Sequence, residues 1–244
     1  MTFISQKFGQ FAYFHEQLGR PDWAAAKVLD FGGNAGNFLS DPRQPVDHAS
    51  YWCVDVSRDA VELGRRLYPG ANFIFYDRHN HEYNPGGVKG LKLPDPGRRF
   101  DYVLVLSVFT HTDEREMFDL LDGLKGLLAG RGTLAFTFLD PRHTPEGSRV
   151  SNLRYYAEDR LSFDGGGGAD ALLAEAERAS RCTLAGGRLF VGRCAPEDLR
   201  GRGGYLAFHT VEYIRGLFPA AEIRAPVEPI PRQHCCILRY DAHS

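Results

Sequence analysis

The stretch VLDFGGNAGNFL, Val28 to Leu39, puts a carboxylate, Asp30, near the end of a short apolar run and follows it with Gly32, Gly33 and Gly36. Glycines in such a turn let the backbone come against a ligand. A helix starting after the turn would offer free N–H groups to a nucleotide-like molecule. Two further acids close later apolar runs: Asp55, before Val56 in CVDVS, and Asp77, before Arg78 in FIFYDR. Aspartate is also an ordinary turn residue, and either acid alone could be one. Three acids ending three consecutive runs, the first beside a glycine turn, point instead to one shared ligand edge, because open α/β sheets bind ligands at the carboxyl ends of their strands.

The elements that must hold these residues can be read from periodicity. Val28–Phe31, Tyr51–Val56, Asn72–Tyr76, Asp101–Ser107 and Gly132–Leu139 are expected strands; DYVLVLS has the unbroken apolar character of a strand buried on both faces. Ser57 caps an expected helix Arg58–Leu67. Asp113 and Glu114 open another, whose stripe Met117, Leu120, Leu121, Leu124, Leu127 and Leu128 runs toward Gly130 as its C-terminal glycine. The rhythm breaks over residues 141–209, which hold Tyr155 and Tyr156, the Gly165–Gly168 run, a helix near Ala169–Ser180, a strand at Arg188–Val191 and the RGRGG of Arg200–Gly204. This segment is expected to be an insertion on the strand ends within a single domain spanning 1–244. Thr210 then caps a short helix, and strands Glu222–Val227 and His234–Tyr240, joined through Pro229 and Pro231, form an antiparallel hairpin. The fold class is therefore α/β: a Rossmann-like, doubly wound, mostly parallel seven-stranded sheet with a C-terminal antiparallel hairpin and an insertion after the fifth strand.

The glycine spacing does not match the G-x-G-x-x-G of dinucleotide-binding loops. Asp30-Phe31-Gly32-Gly33-Asn34-Ala35-Gly36 instead resembles motif I, [DE]-x-G-x-G-x-G, of the class I S-adenosylmethionine-dependent methyltransferases. Asn34 stands where that family has its middle glycine; asparagine tolerates left-handed backbone, so the turn can survive. FDYVLVLSVFTHT is similar to the family's fourth strand and following turn, GLLAGRGTLAFTFL to its helix and fifth strand, and QHCCILRY to its last strand. The likeness covers about residues 25–140 and 210–240.

The resemblance implies S-adenosylmethionine as cofactor, with S-adenosylhomocysteine as product. It implies a binding site made of Asp30, Gly32, Gly33, Asn34, Gly36, Asp55, Val56, Asp77, Arg78, Leu106 and Ser107. Asp55 would hold the ribose diol, since one carboxylate accepts two hydrogen bonds, and Asp77 would lie beside the adenine amino group. Phe8, Phe11, Tyr13 and Phe14 recur at helical spacing within the N-terminal segment 1–24, and the family's helix before motif I makes Tyr13 the contact expected to close the pocket. Methyl transfer from a sulfonium needs chiefly alignment and exclusion of water, and a general base if the acceptor is a hydroxyl. His111, in SVFTHT, is the first candidate for that base because imidazole accepts protons near neutral pH; the competing reading is a histidine that caps the next helix. Asp140, His143 and His209 are secondary candidates; His143, His209, Tyr155, Tyr156 and Phe163 could line an acceptor pocket. His79, His81 and Glu82 offer H-x-H-E, but on a loop this reads as solvated side chains, and no metal is expected.

Absences narrow the acceptor. Leu106-Ser107-Val108-Phe109 is not the [DNS]-P-P-[FYW] of enzymes that methylate exocyclic amines, and no Pro-Cys stands there for attack on a pyrimidine. The formal net charge of −2 over 244 residues argues against nucleic acid as the partner, although Arg188, Arg193, Arg200 and Arg202 gather in the insertion. Five cysteines with no CxxC argue against a disulfide framework or a structural zinc. No apolar run is long enough for a membrane span, and the N-terminus lacks a signal core, so a cytoplasmic location is expected. The leading expectation is methylation of a small-molecule acceptor, at oxygen before nitrogen. A methyltransferase acting on RNA or protein, and a non-catalytic protein that keeps the fold, stay open beside it.

Overall fold

The computed structural model describes residues 9–161, 188–192 and 205–241. In chain order the elements are α1 (Gln10–Gln17), β1 (Val28–Phe31), β2 (Tyr51–Asp55), α2 (Arg58–Leu67), β3 (Asn72–Phe75), β4 (Phe100–Val105), α3 (Glu114–Lys125), β5 (Leu128–Phe138), α4 (Asn152–Leu161), β6 (Arg188–Gly192), β7 (Tyr205–His209), α5 (Val211–Leu217), β8 (Glu222–Arg224) and β9 (His234–Arg239). Seven strands form one sheet in the order β3-β2-β1-β4-β5-β9-β8. β1 to β5 run parallel; β9 lies antiparallel to β5, and β8 antiparallel to β9. The order reverses between β1 and β4, the switch point where such sheets open a crevice at their carboxyl ends.

Alternation along each strand sends side chains to opposite faces. Val28 joins Phe11, Phe14, Trp23, Phe38 and Tyr51 on the face that α1 covers; Leu29 and Phe31 join Met117, Leu120, Leu124 and Phe136 on the other, under α3. Asp30 shares the parity of Val28 and so points under α1. The expected caps are present: Ser57 Oγ accepts from the Ala60 N–H (3.3 Å), Asp113 from Glu116 (2.7 Å) and Thr210 from Tyr213 (3.1 Å).

Three local expectations need correction, and one segment with no expected element is helical. No α-helix follows the glycine turn: residues 33–37 form turns, then a single 3-10 turn at Phe38–Ser40. Pro42 and Pro45 lie close behind and deny any continuing helix its backbone donors. α3 stops at Lys125 with Gly126 at its end, not at Gly130, and β5 starts at Leu128, opposite Phe100. Leu127 and Leu128 therefore extend the apolar stripe in sequence while belonging to the connection and the strand. The polar segment around Tyr155 is helical, as α4. β8 is only three residues long, and Val227 makes an isolated bridge to Ile230 instead of extending it.

Beyond β5, β6 and β7 pair as an antiparallel ribbon, joined to the main sheet by the Leu139–Phe208 bridge and by the His209 N–H donating to the Leu139 carbonyl (2.8 Å). Gly165–Gly168, the helix expected near Ala169–Ser180, Phe8, Phe163, Arg193, Arg200 and Arg202 lie outside the described residues, as does the Arg188 side chain. Among the described residues no helix is long and apolar enough to cross a membrane.

Candidate functional site

The carboxyl ends of β1, β2 and β4 carry the centre of the site. After Phe31 the chain turns through Gly32 (φ 75°), Asn34 (φ 55°) and Gly36 (φ 85°). Asn34 takes the left-handed geometry expected of it, and its Oδ1 accepts from the Ala35 N–H (2.7 Å). The turn is tightly enclosed: a Cβ on Gly32 would overlap Val108, and one on Gly33 would overlap the Asp30 carboxyl.

Asp55, at the end of β2, ties this turn to the next. Its Oδ2 accepts from the Asn34 N–H (2.8 Å) and its Oδ1 from the Ser57 N–H (2.7 Å). Each oxygen keeps a second lone pair for a ligand hydroxyl. Burial pushes the Asp55 pKa up, against the pull of these backbone hydrogen bonds. Val56, half-buried, follows at the same strand end.

Asp30 is fully buried beneath the turn. Gln10 Nε2 donates to its Oδ1 and Tyr51 OH to its Oδ2, both at 2.6 Å. Burial pushes its pKa up to about 7, although both hydrogen bonds act to lower it. Both oxygens are committed to protein donors, which makes Asp30 the support of the turn.

β4 ends in a second left-handed residue, Ser107 (φ 57°), just after the half-buried Leu106. A non-glycine residue there costs energy and persists only when its surroundings over-determine it. The Ser107 N–H donates to Thr137 Oγ1 (2.8 Å), and Thr137 donates to Gln233 Oε1 (2.5 Å). Gln233 Nε2 returns a hydrogen bond to Ser107 Oγ, closing the loop. The Ser107 carbonyl also accepts from Thr110 Oγ1 (2.8 Å). Tyr13, fully buried in α1, donates its hydroxyl to the Gln233 carbonyl (2.8 Å), so it meets this network from the covered side of the sheet.

The remaining expected residues divide. Asp77 is exposed at the end of β3 and accepts from Asn84 Nδ2 (3.0 Å). The Arg78 side chain turns away from the crevice and pairs with Glu116 (3.2 Å) and Asp119 (2.6 Å) of α3. His111 ends a 3-10 turn, Phe109–His111, with Nδ1 3.2 Å from Glu82 Oε2 and its ring edge-on to Tyr83. His143 Nε2 lies 2.9 Å from the Pro231 carbonyl, and its ring meets His234 edge-on. Tyr155 and Tyr156 meet edge-to-face on α4. His209 is buried and stacked on Tyr213. Asp140 accepts from the Val211 N–H (3.0 Å) at the start of α5 and pairs with Arg142 (2.8 Å). Gly32, Gly33, Asn34, Gly36, Asp55 and Ser107 thus lie together at the carboxyl ends of β1, β2 and β4, with His111 just past Ser107 on the same edge.

Sequence reasoning missed Gln10, Tyr51, Thr137 and Gln233, and it placed Glu82 with His79 and His81, not beside His111. Each reaches its partner across the fold, with no local spacing to signal it.

Residues 29–134 match a family model described as "Methyltransferase domain". Among solved structures, the glycopeptide N-methyltransferase MtfA complexed with sinefungin is 8% identical, with 98% of this chain and 95% of that chain covered and a TM-score of 0.56. The DhpI-SAM-HEP complex is 14% identical, covering 97% and 89% with a TM-score of 0.56. SAM-bound CalS10, an amino pentose methyltransferase from Micromonospora echinaspora, is 16% identical, covering 96% and 91% with a TM-score of 0.53. At these identities the likeness establishes a shared fold. No curated protein matches the chain by sequence.

Proposed function

We propose that this chain, which has the class I methyltransferase fold and carries a methyltransferase domain over residues 29–134, transfers a methyl group from S-adenosylmethionine to a small-molecule acceptor, at a hydroxyl before an amine. The observation that carries this reading is the Asp55 carboxylate, which spans the two strand-end turns beside a left-handed glycine loop too tight for a side chain at Gly32 or Gly33. That cradle fits a nucleoside: the turn gives backbone approach without Cβ atoms, and the acid can accept from a vicinal diol.

When bound, S-adenosylmethionine supplies a methyl group on a positively charged sulfur, and the C–S electron pair leaves with S-adenosylhomocysteine as the acceptor forms its new bond to carbon. The protein's part is to bind, align and exclude water. Asp55 would hold the ribose hydroxyls, and Asp77 would lie beside the base at the next strand end. Asp30, Gln10 and Tyr51 keep the glycine turn in place from below. Thr137 and Gln233 hold Ser107 in its left-handed conformation at the crevice wall. His111 takes the proton of an acceptor hydroxyl, with its Nδ1 lying 3.2 Å from Glu82 Oε2.

Calorimetry with S-adenosylmethionine, S-adenosylhomocysteine and NADH tests the cofactor assignment. The first two are expected to bind and NADH not. Asp55→Ala is expected to weaken both by roughly 10- to 100-fold, the size of one or two hydrogen bonds to a charged group. A folded wild-type protein that binds neither would overturn the reading. For the base, His111→Ala is expected to lower kcat about 100-fold while S-adenosylhomocysteine affinity holds. An unchanged kcat on a hydroxyl acceptor would remove His111 from the chemistry.

A further inference from the structure

The register of β5 and β9 pairs Phe138 with His234, so Arg232 lies just beyond the carboxyl end of β5, on the edge that carries Ser107. Two other arginines near that edge are already neutralised: Arg78 by Glu116 and Asp119, and Arg142 by Asp140 and Glu212. Arg232 is half-buried, yet its guanidinium meets no carboxylate among the residues whose side chains are described, which in α4 end at Tyr156. Neutral oxygens hold it instead. Nη1 donates to the Val150 carbonyl (3.4 Å) and to Asn152 Oδ1 (3.3 Å), and Nη2 donates to Ser148 Oγ (3.2 Å). The guanidinium lies over the Tyr155 ring, its Cζ 3.8 Å from the centroid. Fully buried Asn152 also donates to the carbonyls of Arg232 (2.7 Å) and Asp140 (3.0 Å), which fixes the backbone at both ends of the contact.

A guanidinium has five N–H donors in a rigid fork. Three are used here, on Nη1 and Nη2. The Nε–H and one Nη2 hydrogen have no acceptor among the residues whose side chains are described. Two such donors on a planar group match the two oxygens of a carboxylate or of a phosphate. A guanidinium stacked on tyrosine and braced by three hydrogen bonds has lost its rotamer freedom before any ligand arrives, which removes much of the ordering cost of binding.

We infer that Arg232 is the oxyanion anchor of the acceptor site, so that the methyl acceptor carries a carboxylate or phosphate group. The inference rests on the methyltransferase reading and adds the charge class of the substrate. The anion, held by Arg232 beyond β5, leaves the acceptor's nucleophile to reach toward the β4 end and His111. Tyr155 is the platform that keeps the fork flat, and Asn152 positions it.

The test compares benzoate with benzamide, alike in shape and different in charge, by calorimetry on the full chain with and without S-adenosylhomocysteine. Benzoate is expected to bind at least about tenfold tighter than benzamide, the effect of a charge-assisted bidentate contact. Arg232→Gln is expected to remove that preference, and Arg232→Lys, which keeps the charge and loses the fork, to retain part of it. Inorganic phosphate is the second probe: displacement of benzoate assigns a general oxyanion site, and failure to displace it narrows the class to carboxylates. Equal binding of benzoate and benzamide, no binding of benzoate, or a preference that survives in Arg232→Gln overturns the anchor. S-adenosylhomocysteine binding in the same samples separates the two readings. If it binds and benzoate is not preferred, the anchor alone fails; if it does not bind, the cofactor reading fails, and the nucleoside-free comparison still decides the anchor.

Discussion

Replacing Gly33 with alanine is expected to abolish measurable S-adenosylhomocysteine binding and to lower stability by about 2–4 kcal/mol. The added methyl has nowhere to go. Its carbon would overlap the Asp30 carboxyl, which is fully buried and pinned on both oxygens by Gln10 and Tyr51. Either the acid moves and loses a buried hydrogen bond, or the turn lifts off β1 and carries Asn34 away from Asp55. Both routes reach the crevice. Gly86→Ala is the matched control, because nothing lies within 4 Å of its added carbon; a change within about 0.5 kcal/mol is expected there. Urea unfolding of the three proteins, with calorimetry at each, measures both effects. A Gly33→Ala protein as stable as the control, with unaltered affinity, would mean the turn is far looser than its contacts require.

The second large effect is on pH dependence. Asp30 has its pKa pushed up to about 7, chiefly by burial, whereas an unfolded aspartate titrates near 4. Between those values the folded chain holds a proton that the unfolded chain has lost. The stability contributed by protonated Asp30 is therefore complete below about pH 4 and declines by up to ~1.4 kcal/mol per pH unit until pH passes about 7. His234 acts in the opposite sense. Burial and the neighbouring His143 depress its pKa to about 4, so its contribution grows as pH rises from about 4 toward the ordinary histidine value near 6.5. The two largely offset each other below pH 6.5 in the wild type. Asp30→Asn separates them. Its stability, relative to wild type, is expected to rise steadily from pH 4.5 to pH 7 and then level off. Asp55, also shifted upward by burial, remains in both proteins and cancels in the difference. Urea midpoints for the two proteins at half-unit pH steps check this; parallel curves would show that Asp30 stays ionised throughout.

The strand edge is readable from sequence because its signals are local. Asp30, Asp55 and Ser107 end apolar runs that can only be buried strands, and Asn34 sits where a left-handed residue is needed. Signals that depend on competition between neighbours mislead. A glycine loop after a strand suggests a helix, but Pro42 and Pro45 restrict the chain beyond the loop to a 3-10 turn. The leucine stripe suggests that α3 continues to Gly130, but pairing of Leu128 with Phe100 takes those residues into β5. Long-range register lies beyond reach. Gln233 meets Ser107 and Thr137, and Arg232 meets Asn152, only because β9 pairs with β5 in one alignment, and no window of sequence contains both partners.

The Ser107–Thr137–Gln233 triangle also bears on when the site comes into existence during synthesis. Chains emerge from the ribosome N-terminal end first, and the pieces fold as they appear. By residue 210 the glycine turn, all three strand-end acids and His111 are outside, along with every parallel strand of the sheet. Gln233 is not, and neither is the backbone carbonyl that receives the Tyr13 hydroxyl. Until Gln233 is delivered, Ser107 keeps its backbone contacts to Thr137 and Thr110 but has no partner for its Oγ. The nascent protein thus has its glycine turn and strand-end acids before the Ser107–Thr137–Gln233 triangle can close, and that strand edge is completed by residues made after every parallel strand.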